Sequence, residues 1–166
     1  MVKTTFDEVD LRILDELQKD GRITNVELAH RAGISAPPCL RRVRALEESG
    51  VIRGYRAVLD RKRLGFEVMA FAMVGLSSQA EADLAAFEEK ARSWPFVREC
   101  HMLSGEVDFI LKCVAPDLTA FQNFIIKDLT AAENVDSVKT ALVIRESSAE
   151  PIVPMEVIRG GENSQE

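Results

Sequence analysis

The 166-residue sequence has only three cysteines, Cys39, Cys100 and Cys113. The number is odd and shows neither a C-x-x-C pair nor zinc-finger spacing, which excludes a disulfide framework and suits a reducing compartment. Histidine is scarcer still, with two residues. With no H-E-x-x-H, G-x-G-x-x-G or P-loop, no constellation for metal, dinucleotide or nucleotide chemistry is formed, so neither a cofactor nor catalysis is expected. Long apolar runs are also missing. The longest, Val68 to Val74, falls far short of the roughly 18 residues that span a bilayer, and the first residues lack the apolar stretch of a signal peptide. A cytoplasmic protein that engages no membrane is expected.

What is present is an ordinary globular composition, 46% hydrophobic and 29% charged, enough for one or two modest cores. The net charge of -6 taken whole argues against a nucleic-acid partner, because a polyanion is held by clustered Lys and Arg. The charge is unevenly divided, however. Residues 1–63 carry 13 Lys/Arg against 10 Asp/Glu, net +3, and residues 64–166 carry 8 against 17, net -9. Within 36–63 a footprint of Arg41, Arg42, Arg44, Arg53, Arg56, Arg61, Lys62 and Arg63 faces only three acids, the signature of a nucleic-acid contact surface.

The first half reads as three short helices. Val9, Ile13, Leu14 and Leu17 form one stripe between Asp7 and Lys19, which Asp20-Gly21 ends. Thr24 and Glu27 have capping-box spacing and open a short helix over 25–32. Gly33 stops it, Ser35 is placed to cap a third helix, and Pro37 and Pro38 fall in the first turn, where a missing N–H costs nothing. Leu40, Val43 and Leu46 form the apolar stripe of that third helix, which reaches about Ser49. Val51–Leu59 is rich in β-branched residues without helical period and predicts a strand or small wing.

A linker at 60–65 precedes a strand–helix–strand–strand–helix–strand order. The strands are expected at 66–76, 96–103, 106–114 and 135–144, with helices from Gln79 and Asp117 and a tight turn at Ser104-Gly105. Val107, Phe109, Leu111 and Cys113 alternate with Asp108, Ile110 and Lys112. This βαββαβ order predicts a ferredoxin-like sheet with helices on one face. The apolar residues on the other face predict a second copy packed there. The fold class is therefore α+β, a winged helix-turn-helix over 5–64 and a ferredoxin-like domain over 65–146. A C-terminal extension follows over 147–166, its tail from 157 expected to fray.

In a helix-turn-helix the second helix braces and the third enters the major groove. There Arg can bond guanine bidentately or clamp a phosphate. The candidate DNA-contacting residues are Ser35, Pro37, Pro38, Arg41, Arg42 and Arg44, with Arg53 and Arg56 from the wing. Three arginines on a helix can also simply solvate it. Cys39 reads as a packing residue, and His101 is assigned no chemistry.

The stretches Leu14–Ile23, Asn25–Leu28, Pro38–Glu47 and Gly50–Tyr55, continued by Glu99-Cys100-His101 and Ser104–Phe109, resemble the leucine-responsive/asparagine-regulator family over about residues 6–146. The resemblance implies a sequence-specific transcription regulator on double-stranded DNA, with dimers assembling to octamers or other higher oligomers. It also implies a free amino acid, leucine or another apolar one, bound between dimers. Carried over onto this chain, it makes Leu103, Ser104, Gly105 and Asp108 the effector site, with Thr140 near it. A carboxylate can pair with the ligand's ammonium group, and N–H groups at a glycine turn can receive its carboxylate. A turn-stabilising Asp108 is the bland alternative. An architectural DNA-wrapping protein without effector, and a binding module docked on an enzyme, are the competing functions.

Overall fold

A computed structural model of the chain describes residues 6–147, 153–155, 157 and 158. It divides into two compact units, Met1–Val58 with Ser148–Glu166, and Leu59–Ser147.

The first unit contains α1 (Glu8–Lys19), α2 (Asn25–Ala32) and α3 (Ala36–Glu48). Helix α1 opens on a capping box absent from the expectation: the Asp7 carboxylate accepts from the N–H groups of Val9 and Asp10, while the Asp10 carboxylate accepts from the Asp7 N–H. At α2 the expected box is half made. Thr24 Oγ1 accepts from the Glu27 N–H, but the Glu27 carboxylate turns to Arg31 Nε at 2.7 Å, because a charged partner one turn along outcompetes a backbone amide. Gly33 ends α2 at φ 75°, a left-handed conformation that a Cβ would penalise. Ser35 is the residue before α3, yet its hydroxyl makes no capping bond; the prolines there carry no N–H for it to satisfy.

The core of this unit is aliphatic and small: Ile13, Leu28, Ala29, Ala32, Cys39 and Leu46. Asn25 ties the turn between α2 and α3 by donating to the Ala36 carbonyl at 2.9 Å. Part of the C-terminal extension belongs here too. Gln18 donates to the Val153 carbonyl and accepts from its N–H, and Met155 is buried. Of the tail expected to fray from 157, Val157 and Ile158 are in a helical turn, with the Val157 N–H donating to the Pro154 carbonyl at 3.1 Å, and the rest lies outside the described residues.

The strand predicted over 51–59 does not form within the chain. β-Branched residues favour extended backbone, but a strand needs a ladder partner. No other described segment pairs with this one, and Val58 is wholly exposed.

The second unit holds β1 (Val68–Leu76), α4 (Glu81–Ser93), β2 (Val97–Met102), β3 (Phe109–Ala115), α5 (Leu118–Phe124) with a π-helical turn over Ile125–Leu129, and β4 (Val135–Leu142). The strands are antiparallel in the order β2-β3-β1-β4, the ferredoxin-like sheet. One face, with Ala70, Ala72, Val74, Phe109, Leu111 and Cys113, packs under the helices. Its rings interlock: Phe87 on Phe109 at 4.7 Å, and Trp94 edge-on to Phe124 at 5.5 Å. The other face carries half-buried Phe71, Met73, Ile110 and Val114.

The turn between β2 and β3 is longer than the dipeptide expected. Glu106 and Val107 lie outside the ladder, and the connection spans residues 103–108. Alternating apolar residues extend the strand pattern to Val107, but Asp108 interrupts the ladder there. Its N–H donates to the Val74 carbonyl, and its carboxylate takes the Leu76 N–H.

Candidate DNA-reading helix and effector turn

Cys39, Val43 and Leu46 pack α3 into its unit. Residues at spacings of four, three and four around the opposite side, Pro37, Arg41, Arg44 and Glu48, share one exposed face. Among the described residues Arg41 and Arg44 form no ion pair, so two guanidinium groups project side by side from a helix whose body is fixed. Arg53 and Arg56 are exposed on the irregular segment after α3.

Arg42 is placed differently from its neighbours. Its Nη1 donates to Asp7 Oδ2 and Asp10 Oδ1, each at 2.7 Å, which staples α3 to the capped start of α1. The Asp10 N–H, then Arg42, holds the Asp7 carboxyl below the ordinary carboxylate range. Two more members of the basic footprint are engaged locally. Arg63 pairs with Asp60, and Arg61 donates to the Phe66 and Glu67 carbonyls and pairs with Glu146. The footprint is thus smaller than a count of cations suggests. Sequence reasoning missed Asn25, whose signal was its position at the first residue of α2, and the Asp7/Asp10 pair, readable as a D-x-x-D box.

Tyr55 also anchors the segment after α3. Its hydroxyl donates to Glu47 Oε1 at 3.0 Å, and burial, reinforced by the Glu47 charge, pushes the phenol up to about 12. Burial raises the Cys39 thiol as well, so that residue sits inertly in the packed face.

In the second unit, Leu103, Ser104 and Gly105 are exposed on the β2–β3 connection. Gly105 has φ 152°, a backbone state that favours glycine. The Leu103 N–H donates to the Asp108 carbonyl at 2.8 Å, closing the loop on itself. Asp108 is half-buried; Oδ2 accepts from the Leu76 N–H and Oδ1 from Gln79 Nε2, both at 2.7 Å. Thr140 is not brought to this cluster within one chain. It pairs with Ala72, four residues along β1 from Leu76, a separation of about 13 Å at strand rise. His101 lies on β2 with Nε2 3.3 Å from Glu99 Oε2, and Glu99 also accepts from Lys112 at 2.9 Å.

No group of His, Cys, Asp and Glu among the described residues could hold a metal ion. No helix among them is long and apolar enough to cross a membrane.

Comparison with known proteins matches both units. Residues 69–153 fit the Lrp/AsnC ligand binding domain, and residues 6–53 fit a winged helix-turn-helix DNA-binding family. The chain is 61% identical to a leucine-responsive regulatory protein of Rhizobium meliloti, over 88% of this chain and 94% of that protein. It is 39% identical to the leucine-responsive regulatory protein of Escherichia coli, over 85% and 86%. Among solved structures, a transcriptional regulator of Neisseria meningitidis in complex with L-Met superimposes with a TM-score of 0.88 at 34% identity, covering 93% of this chain and 99% of that one.

Proposed function

The chain belongs to the Lrp/AsnC family of DNA-binding transcription regulators, and on that premise we propose that a free apolar amino acid controls how it engages double-stranded DNA. The observation that carries the DNA half is the α3 face of Pro37, Arg41 and Arg44, exposed opposite the packed side of the helix. Arg41 and Arg44 read bases or clamp phosphates in the major groove, with the Ser35 end of the helix near the backbone and Arg53 and Arg56 adding phosphate contacts. Arg42 positions α3 through Asp7 and Asp10 rather than touching DNA.

The effector is received at Leu103–Gly105 and Asp108, where the carboxylate pairs with the ammonium group. Leucine and methionine are the first candidates, since relatives are named leucine-responsive and one similar structure holds L-Met. The half-buried outer sheet face takes a second copy, and dimers assemble further, to an octamer or another higher oligomer. Thr140 then reaches an effector site only from a neighbouring copy. The protein works in the cytoplasm and catalyses nothing. Ligand acts by favouring one assembly over another, which requires unequal affinity for the two.

The test is a gel shift on the protein's own upstream DNA at two salt concentrations, with and without L-leucine and L-methionine. A discrete shift that weakens with salt and changes with one amino acid is the expected result. A shift indifferent to both amino acids overturns them as effectors and favours an architectural role, and no shift at low salt overturns the DNA reading.

A further inference from the structure

Asp108 holds its carboxylate in a half-buried place, yet among the described residues no Lys, Arg or His pairs with it. Its two oxygens are served by neutral donors only, the Leu76 N–H and the Gln79 amide. A half-buried carboxylate hydrogen-bonded only by neutral donors is a natural partner for a cation. The two neutral partners differ in kind. The Leu76 N–H is fixed in β1, whereas Gln79 is an exposed side chain.

The backbone beneath Gln79 is rigid. Asn134 Oδ1 accepts from the Ser77 hydroxyl and the Ser78 N–H, each at 2.8 Å, and Asn134 Nδ2 donates back to the Ser78 carbonyl at 2.9 Å. The Ser78 hydroxyl donates to Asp83 at the start of α4. Gln79 can therefore leave Asp108 by side-chain rotation alone, without moving the chain that carries it.

We infer that Gln79 is a built-in placeholder for the effector's ammonium group, occupying Asp108 Oδ1 until the ligand displaces it. This rests on Asp108 being the ammonium partner. The Gln79 amide sits 2.7 Å from Oδ1, the distance an ammonium donor adopts on a carboxylate. The two donors compete for one lone-pair direction. The placeholder keeps the empty carboxylate hydrogen-bonded and lowers effector affinity by the strength of the bond it must surrender. Tightness of sensing is thus set by a residue outside the carried-over effector set.

Titration calorimetry of the full chain with L-leucine and with L-methionine tests this, using wild type, Gln79→Ala and Asp108→Asn. Asparagine at 108 retains an acceptor for the Leu76 N–H, and unfolding midpoints verify that both variants fold. Gln79→Ala is expected to bind the responding amino acid about tenfold more tightly, the low end for losing a hydrogen bond to a charged group, and Asp108→Asn to lose binding. Unchanged or weaker binding by Gln79→Ala, with binding lost in Asp108→Asn, overturns the placeholder and leaves the effector site standing. Wild-type binding by Asp108→Asn overturns the effector site at Asp108 and the placeholder with it. The same follows if neither amino acid gives heat with wild type or Gln79→Ala.

Discussion

The two units are held together by different means. Under the sheet, five aromatic side chains, Phe87, Trp94, Phe109, Phe121 and Phe124, are buried in one cluster. Among the described residues the helix-turn-helix unit has no aromatic residue in its fully buried core, and its helices are tied at the rim by Arg42 to Asp7 and Asp10 and by Arg31 to Glu16. Small core residues let short helices approach closely, and peripheral charges then fix their angles. A unit that must present one helix face to a groove can be aimed this way. The sheet unit, whose β2–β3 loop and Asp108 are fixed by backbone hydrogen bonds, has a dense aromatic interior instead.

The largest effect that could break this contrast lies in the sheet. Phe109 is wholly buried, and Phe109→Ala should cost about 3–5 kcal/mol, against about 2–5 kcal/mol for Leu28→Ala, toward the low end because small neighbours can close on the cavity. Trp94 is the single tryptophan and lies in the aromatic cluster, so its fluorescence during urea unfolding follows the sheet unit while circular dichroism follows the helices of both. Equal losses for the two variants would remove the contrast.

Next in size is a division of labour within α3. Arg41→Ala should lose about 1–3 kcal/mol of specific DNA affinity with an unchanged unfolding midpoint. Arg42→Ala should lower the midpoint, by the value of an exposed ion-pair cluster of about 1 kcal/mol or less, and weaken DNA binding little. Fluorescence anisotropy on operator DNA paired with thermal melts separates them. If the two variants lose DNA affinity alike, Arg42 reads DNA and the staple is incidental.

Much of the architecture was legible because it is local. Helical stripes, the Gly33 stop, the prolines in the first turn of α3 and the βαββαβ order all depend on neighbours within a few residues. What failed to show depends on partners far along the chain. Nothing around Arg42 indicates that Asp7 and Asp10 wait more than thirty residues away, and the footprint count therefore overstated the surface free for DNA. The alternation through Val107 read as strand, although Asp108 spends its carboxylate on Leu76 of another strand. The β-branched run at 51–59 marks extended backbone, but only a partner strand makes a sheet of it. In the candidate site, Asp108 could be singled out as a candidate acid, whereas its contact with Gln79 could not be read, because an amide on a loop carries no signal until the fold sets it against a carboxylate.

The smallest effect sharpens the comparison through acid. Asp7 is held below its ordinary value of 3.8, first by the Asp10 N–H and then by Arg42. Glu99 in the sheet unit is held below 4.5, chiefly by Lys112. A carboxyl whose folded value is depressed adds stability above its unfolded value and loses that stability as pH falls through the folded one. Each unit should therefore weaken below about pH 4.5 through its own carboxylate. Asp7→Asn keeps a capping side chain but cannot titrate, so it should flatten the acid slope seen by circular dichroism and leave the Trp94 fluorescence slope intact. Glu99→Gln should flatten the Trp94 fluorescence slope and only the sheet unit's share of the circular dichroism slope. Each loss is modest because both groups are largely solvated, and an Asp7→Asn variant that flattened the fluorescence slope as well would mean that the two units unfold as one.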